Sequence, residues 1–274
     1  MGFADLDFVQ GFVQVCNDGW LQGWHERNGG NLSYRMTDND VAEAESFFDI
    51  HRDWHAIGVA DSDLASSYFL VTGSGKYFRN VQDYPEENIG IVEINALGDS
   101  YRIVAGLKEA KPTSEFPTHF ICHGVRMRAT QGKARVVYHA HVTNLIAMTY
   151  VLPLEARAIS RALWQSATEC PVVFPEGVGV VPWMVPGGAS IADATAEIMS
   201  EYQAVVWSHH GLFCTGDDFD TTFGLMHTIE KAAEIWILIQ AASQGRPSQT
   251  INDENLYAIA QDFGVKIREE FLDL

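Results

Sequence analysis

The sequence predicts an α/β layered fold over a mixed sheet. Short apolar runs rich in β-branched and aromatic residues alternate with stretches whose apolar residues recur every three or four positions. The runs Ile89–Ile94 and Tyr101–Ala105, separated by Asn95-Ala-Leu-Gly98, read as a hairpin, which makes the sheet mixed rather than purely parallel. With 274 residues, no linker and no repeat of constant period, the chain suits a single domain over residues 1–274 whose core needs no staples.

Taken in order, Phe8, Phe12, Val15, Cys16, Trp20 and Trp24 mark one face of a helix from Asp7 to Trp24. It stops at Asn28-Gly-Gly-Asn31, a turn that either ends the helix or offers backbone amides to an anion. Leu32–Met36 reads as a short strand, and residues 37 to 66 as an irregular acidic excursion carrying His51 and His55. Tyr68–Thr72 is a buried strand running into Gly73-Ser-Gly-Lys-Tyr77, a glycine-rich loop that fits neither nucleotide template but leaves open a phosphate held by Ser74. After the hairpin, Thr113 and Ser114 suit the N-cap of a helix carrying Phe116, Phe120 and Ile121, and Glu115 reads as a capping carboxylate or a catalytic base. Helices are expected over 142–152, 154–166, 190–202, 221–242 and from Asn252 to Phe263, with strand-like runs at 169–174 and 177–181.

The formal net charge of −18 argues against nucleic acid or an anionic membrane as partner. Cys16, Cys122, Cys170 and Cys214 form no Cys-x-x-Cys pair, so a reducing compartment is expected. The segment Met1–Leu6 carries an acid where a signal peptide is basic and lacks a hydroxyl residue at position six. The longest apolar run, Ala232 to Ala242, contains Glu234 and Gln240 and falls short of the roughly 20 residues of a membrane span. A soluble, cytoplasmic protein is therefore expected.

Arg135-Val-Val-Tyr-His-Ala-His141 is the most informative stretch. As a strand it puts His139 and His141 on one side. A third ligand is on offer in Ala204-Val-Val-Trp-Ser-His-His-Gly211, which breaks into His209 and His210. Three imidazoles suit zinc with one position left open, the arrangement of a catalytic site. Glu115, His119 and His123, spaced by four on one helix, form a rival constellation, but Phe120 stands where a His-Glu-x-x-His motif needs its glutamate. An open zinc position either activates water or polarises a carbonyl and stabilises an enolate. The second route needs a base near the metal, and Glu115 qualifies. A Schiff-base aldolase would need a lysine inside an apolar strand; none of the six lies in one, and only Lys76 in the glycine-rich loop stays open.

Six segments in this order, Arg27-Asn-Gly-Gly-Asn-Leu32, Val71-Thr-Gly-Ser-Gly-Lys76, Pro112-Thr-Ser-Glu115, His139-Ala-His141, Thr168-Glu-Cys170 and Ser208-His-His-Gly211, resemble the zinc-dependent class II aldolase and sugar-phosphate epimerase superfamily over almost the whole chain. The resemblance implies a three-layer α/β/α sandwich over a mixed, largely antiparallel sheet. It further implies retro-aldol cleavage of L-rhamnulose 1-phosphate to dihydroxyacetone phosphate and L-lactaldehyde, in L-rhamnose catabolism. On it, one Zn2+ per subunit is held by His139, His141 and His210, and Glu115 is the acid–base carboxylate. Asn28, Gly29, Asn31, Ser74, Gly75, Thr113 and Ser114 contact the phosphate, and Glu169 approaches the site from a neighbouring subunit of a C4 homotetramer. A fuculose-type aldolase and a pentulose-phosphate 4-epimerase are the alternatives in the same superfamily.

Overall fold

The computed structural model describes residues 2–108 and 110–274, so Met1 of the N-terminal segment lies outside the described residues. Its centre is a nine-stranded sheet of β1 (Asn31–Arg35), β2 (His55–Ala56), β3 (Tyr68–Thr72), β4 (Ile89–Ile94), β5 (Ser100–Gly106), β6 (Val136–Ala140), β7 (Gly179–Val181), β8 (Ala204–Trp207) and β9 (Gly211–Gly216). The strands run in the order β2-β5-β4-β3-β1-β6-β9-β8-β7. Every pairing is antiparallel except β7 with β8, so the sheet is mixed and largely antiparallel.

Helices cover both faces. Along β6 the period of two sends Tyr138 toward α1 (Asp7–Leu21) and α9 (Phe219–Ser243), where its ring lies against Phe223. Its neighbour His139 points the other way, stacked on Phe213 with ring centroids 4.2 Å apart. On that second face lie α4 (Phe116–Ala129) and α8 (Ala189–Met199); Trp207 of β8 ties α8 down by donating its indole N–H to Thr195 Oγ1 at 2.8 Å. Phe69 and Val71 of β3 bury against Phe116 and Phe120 of α4, while Leu70 between them joins the core on the α1 side. The burial of both faces explains why β3 and the start of β6 read as continuous apolar runs.

Tertiary context shifted several elements. The first helix ends at Leu21 rather than Trp24, and the chain after it is held by the backbone bond from His141 N to Trp24 O at 3.1 Å. Residues 37 to 66 are less irregular than expected. Thr37 and Asp40 close a capping box that starts α2 (Asp38–Ala44), and β2 adds an edge strand on β5. The strand-like run 169–174 is instead the short helix α7 (Cys170–Val173), because Pro171 has no N–H for a ladder but fits the first turn of a helix. The helices expected at 142–152 and 154–166 contract to α5 (Thr143–Met148) and α6 (Ala156–Trp164); α10 (Asp253–Asp262) starts at Asn252, whose side chain accepts from Asn255 N. Among the described residues no helix is long and apolar enough to cross a membrane.

Candidate metal centre

The cross-strand register brings distant histidines together. In the β6–β9 ladder His139 lies opposite Phe213 and Ala140 opposite Leu212, so the end of β6 meets the tight turn that joins β8 to β9. That turn is residues 208–210, closed by His210 N on Trp207 O, with His209 in the left-handed region at φ 62°. Two consecutive histidines therefore part company. His209 Nδ1 lies 3.0 Å from Thr149 Oγ1 and its ring packs on Tyr150, whereas His210 turns to the end of β6. One nitrogen each from His139, His141 and His210 falls within 4.8 Å of the other two.

These residues fit a metal. His139 donates Nδ1–H to the Leu212 carbonyl at 3.1 Å, and its other nitrogen, Nε2, is buried without a hydrogen-bond partner, an orphan that a metal would satisfy. Burial, with the neighbouring imidazoles, holds His139 well below the ordinary histidine range and lowers His210 to about 4. Both are neutral at pH 7, the form that ligates. His141 Nδ1 lies 2.7 Å from Glu26 Oε1, which orients the ring and leaves Nε2 free. Among the described residues this is the cluster with metal-ligand spacing, and the helical trio Glu115, His119 and His123 is not one.

Glu115 is buried beside it, with Oε2 3.8 Å from His139 Nε2. It occupies the N-cap position of α4, but its side chain does not cap. Thr113 Oγ1 takes up the Glu115 backbone N–H instead, and the carboxylate reaches to β1, where Asn31 Nδ2 donates to Oε2 at 2.7 Å. Burial raises its pKa above the ordinary glutamate range, and the Asn31 bond works in the opposite direction. A carboxyl so placed is a stronger base than an exposed glutamate.

The residues assigned to phosphate fall into two groups. Ser74 and Gly75 line an open pocket of ≈ 560 Å³ together with Lys76 and Lys108, of which Lys108 is paired with Glu87 at 2.7 Å. The Gly73–Pro112 bridge and the bond from Thr113 N to Thr72 O lay the Thr113-Ser114-Glu115 turn alongside this loop. Asn28 and Gly29 belong to the turn before β1. Gly30 has φ 73°, and a Cβ there would lie 2.4 Å from His25 Nδ1, so glycine is required. His25 anchors the turn by bonds to the Gly29 carbonyl and Tyr138 Oη. Asn31 differs from the rest: both ends of its amide are bonded within the protein, to Glu115 and to His119. Glu169 is exposed at the start of α7 and outside the histidine cluster. Spacing did not reveal Glu26, His25, Ser33 or Lys108, since each acts through a neighbour supplied by folding.

The profile of the Class II Aldolase and Adducin N-terminal domain matches residues 10–237. The chain belongs to the class II aldolase family. It is 47% identical over 268 residues to a rhamnulose-1-phosphate aldolase of Enterobacter sp. (strain 638), covering 97% of this chain and 96% of the relative. It is 48% identical over 259 residues to a protein of the same name from Escherichia coli O7:K1, covering 94% of each. The solved sugar-phosphate aldolase from Thermotoga maritima superposes with a TM-score of 0.73 at 26% identity, over 86% of this chain and 94% of that one. As a class II aldolase the chain is a metal-dependent lyase, and the structure holds a three-histidine cluster with metal-ligand spacing.

Proposed function

We propose that this class II aldolase is a zinc-dependent aldehyde-lyase that cleaves L-rhamnulose 1-phosphate to dihydroxyacetone phosphate and L-lactaldehyde in L-rhamnose catabolism. The observation that carries this reading is the convergence of His139, His141 and His210 on one point with the buried Glu115 carboxylate 3.8 Å from His139 Nε2. The relatives named for this activity support the choice of substrate. Four buried free cysteines suit a reducing cytoplasm.

In this reading the three imidazoles hold zinc, which when bound supplies Lewis acidity toward the ketose carbonyl. Glu115 takes the proton from the hydroxyl at C4 as the C3–C4 bond breaks; that bond's electron pair stays with C3, and C4 leaves as the aldehyde. Returning a proton to C3 completes dihydroxyacetone phosphate. Asn28, Gly29, Ser74, Gly75, Thr113 and Ser114 offer neutral donors to the phosphate, with Lys76 and Lys108 beside Ser74. Remote phosphate contacts of this kind fix the sugar's orientation, so their binding energy serves the bond that breaks.

A coupled assay for dihydroxyacetone phosphate on candidate ketose 1-phosphates, with metal analysis, tests the reading. Wild type should release it from L-rhamnulose 1-phosphate and stop after chelation. His141→Ala should lose both zinc and turnover. Glu115→Gln should keep its zinc and lose roughly 10²-fold or more in turnover. An epimerised ketose phosphate in place of the two fragments would reject the lyase, and a fully active His141→Ala would reject the site.

A further inference from the structure

Behind Glu115 lies a row of buried polar groups that the reaction itself does not use. Asn31 Nδ2 donates to Glu115 Oε2 at 2.7 Å, and Asn31 Oδ1 is in close contact with His119 Nε2. His119 Nδ1 lies 2.6 Å from Ser33 Oγ, and Ser33 Oγ lies 2.8 Å from His123 Nε2. Asn31 and Ser33 share one face of β1, two residues apart, while His119 and His123 share one face of α4, four residues apart. The spacing of four that resembled a metal site is thus the rung spacing of a strand-to-helix ladder. All five residues are buried.

Donor and acceptor chemistry gives this row a direction. An ionised Glu115 only accepts, so Asn31 must turn its NH2 toward it and its carbonyl oxygen toward His119. His119 must then carry its proton on Nε2, which leaves Nδ1 bare to accept the Ser33 hydroxyl proton. The Ser33 oxygen in turn accepts from Nε2–H of His123. Each donor meets an acceptor in one sequence, and burial supports it by keeping both rings neutral, with His119 lowered to about 3. Reversing any member strands two like groups face to face in a dry interior, which leaves buried donors or acceptors unsatisfied.

We propose that His119, backed by Ser33 and His123, is a positioning residue that fixes the orientation of the Asn31 amide, so that its NH2 holds the Glu115 carboxylate in place. This rests on Glu115 being the base. Without the Nε2–H donor the Asn31 carbonyl is left unpaired in the interior, and the amide loses the bond that holds it against the carboxylate.

Three variants test it with zinc content and melting temperature measured alongside. His119→Leu removes the donor and keeps an apolar side chain in the space; its kcat should fall between roughly 10-fold and 100-fold with zinc retained and KM little changed. His119→Gln restores an amide donor where Nε2–H stood and should recover most of the loss. Ser33→Ala, the smallest change, should act in the same direction if His119→Leu does not fold. In a Glu115→Gln background none of the three should lower kcat further, because they act through that carboxylate. A crystal structure of the His119→Leu or Ser33→Ala enzyme gives a readout independent of turnover, and should show Asn31 or Glu115 moved from the 2.7 Å bond. Wild-type kcat in His119→Leu, or no rescue by His119→Gln at normal stability, overturns the proposal. A fully active Glu115→Gln would instead remove the base assignment, and an intact Asn31–Glu115 bond in the variant structure would separately reject the positioning.

Discussion

A histidine in this chain is defined by what its two nitrogens meet. His139 has one nitrogen on a carbonyl and one bare, which makes a ligand; His119 has both engaged, which makes a spacer of fixed orientation; His25 bridges a turn and Tyr138. The buried ones share a consequence for stability. Burial lowers His25 and His119 to about 3 from an ordinary value of 6.5. Between those values the unfolded chain holds a proton that the folded chain refuses, so each group's share of stability is complete above pH 6.5 and is lost as the pH falls toward 3. The slope is about 1.4 kcal/mol per pH unit for each such imidazole. Urea unfolding between pH 7 and pH 4 should therefore show falling stability, and His25→Phe, which keeps a ring stacked on Phe78, should show a shallower fall. An unchanged slope would mean that His25 is not held neutral by the fold.

At the scale of elements, the site depends on strand ends and on the short segments beyond them. β6 ends at Ala140, and His141 leads directly into α5, a helix with no side-chain cap of its own. The cap comes from α9. The buried Glu230 carboxylate accepts from Asn144 N and Nδ2 at 2.9 Å and from Leu145 N at 3.0 Å. A negative charge on these N-terminal amides satisfies orphan donors and complements the helix dipole. Glu230→Leu leaves those donors buried and unpaired, so unfolding free energy should drop by about 2 kcal/mol or more, with weaker zinc affinity because the segment carrying His141 loosens. Glu230→Gln keeps one acceptor oxygen and should lie between. Wild-type stability in Glu230→Leu, read by urea denaturation, would show that α5 is held by packing alone.

At the scale of the whole molecule, Glu169 and several apolar side chains are exposed. Tyr150, Val151, Trp183 and Val185 are exposed, and Glu169 lines an open pocket of ≈ 470 Å³ with His227 and Lys231. Exposed apolar groups of this size suit contact with other subunits. We propose a C4 homotetramer in which Glu169 serves the zinc site of the next subunit, so that each active site draws on two chains. Mixing two inactive variants tests this. His141→Ala and Glu169→Ala should each be nearly inactive alone, and co-expressed they should recover a fraction of wild-type turnover, because some interfaces then join an intact zinc site to an intact Glu169. Mixed tetramers with no recovery would confine Glu169 to its own chain.

The layered α/β class, the strand at 68–72, the strand carrying His139 and the two histidine segments were legible in the sequence, because periodicity and residue type are local properties. Spacing alone left open which of His209 and His210 turns inward, and the positive φ at His209 in the β8–β9 turn decides it. The rival constellation of His119 and His123 has a related explanation: spacing by four shows that two imidazoles share a face, but not what faces them, and here it is Ser33 and Asn31 on β1. Glu115 stays between cap and base in the sequence because capping is the local use of such a residue, whereas the partner of its carboxylate lies 84 positions away. The sequence by itself determined which chemistry was present and on which elements. Only the tertiary structure decided which groups meet, since long-range register, not local preference, sets the distances between them.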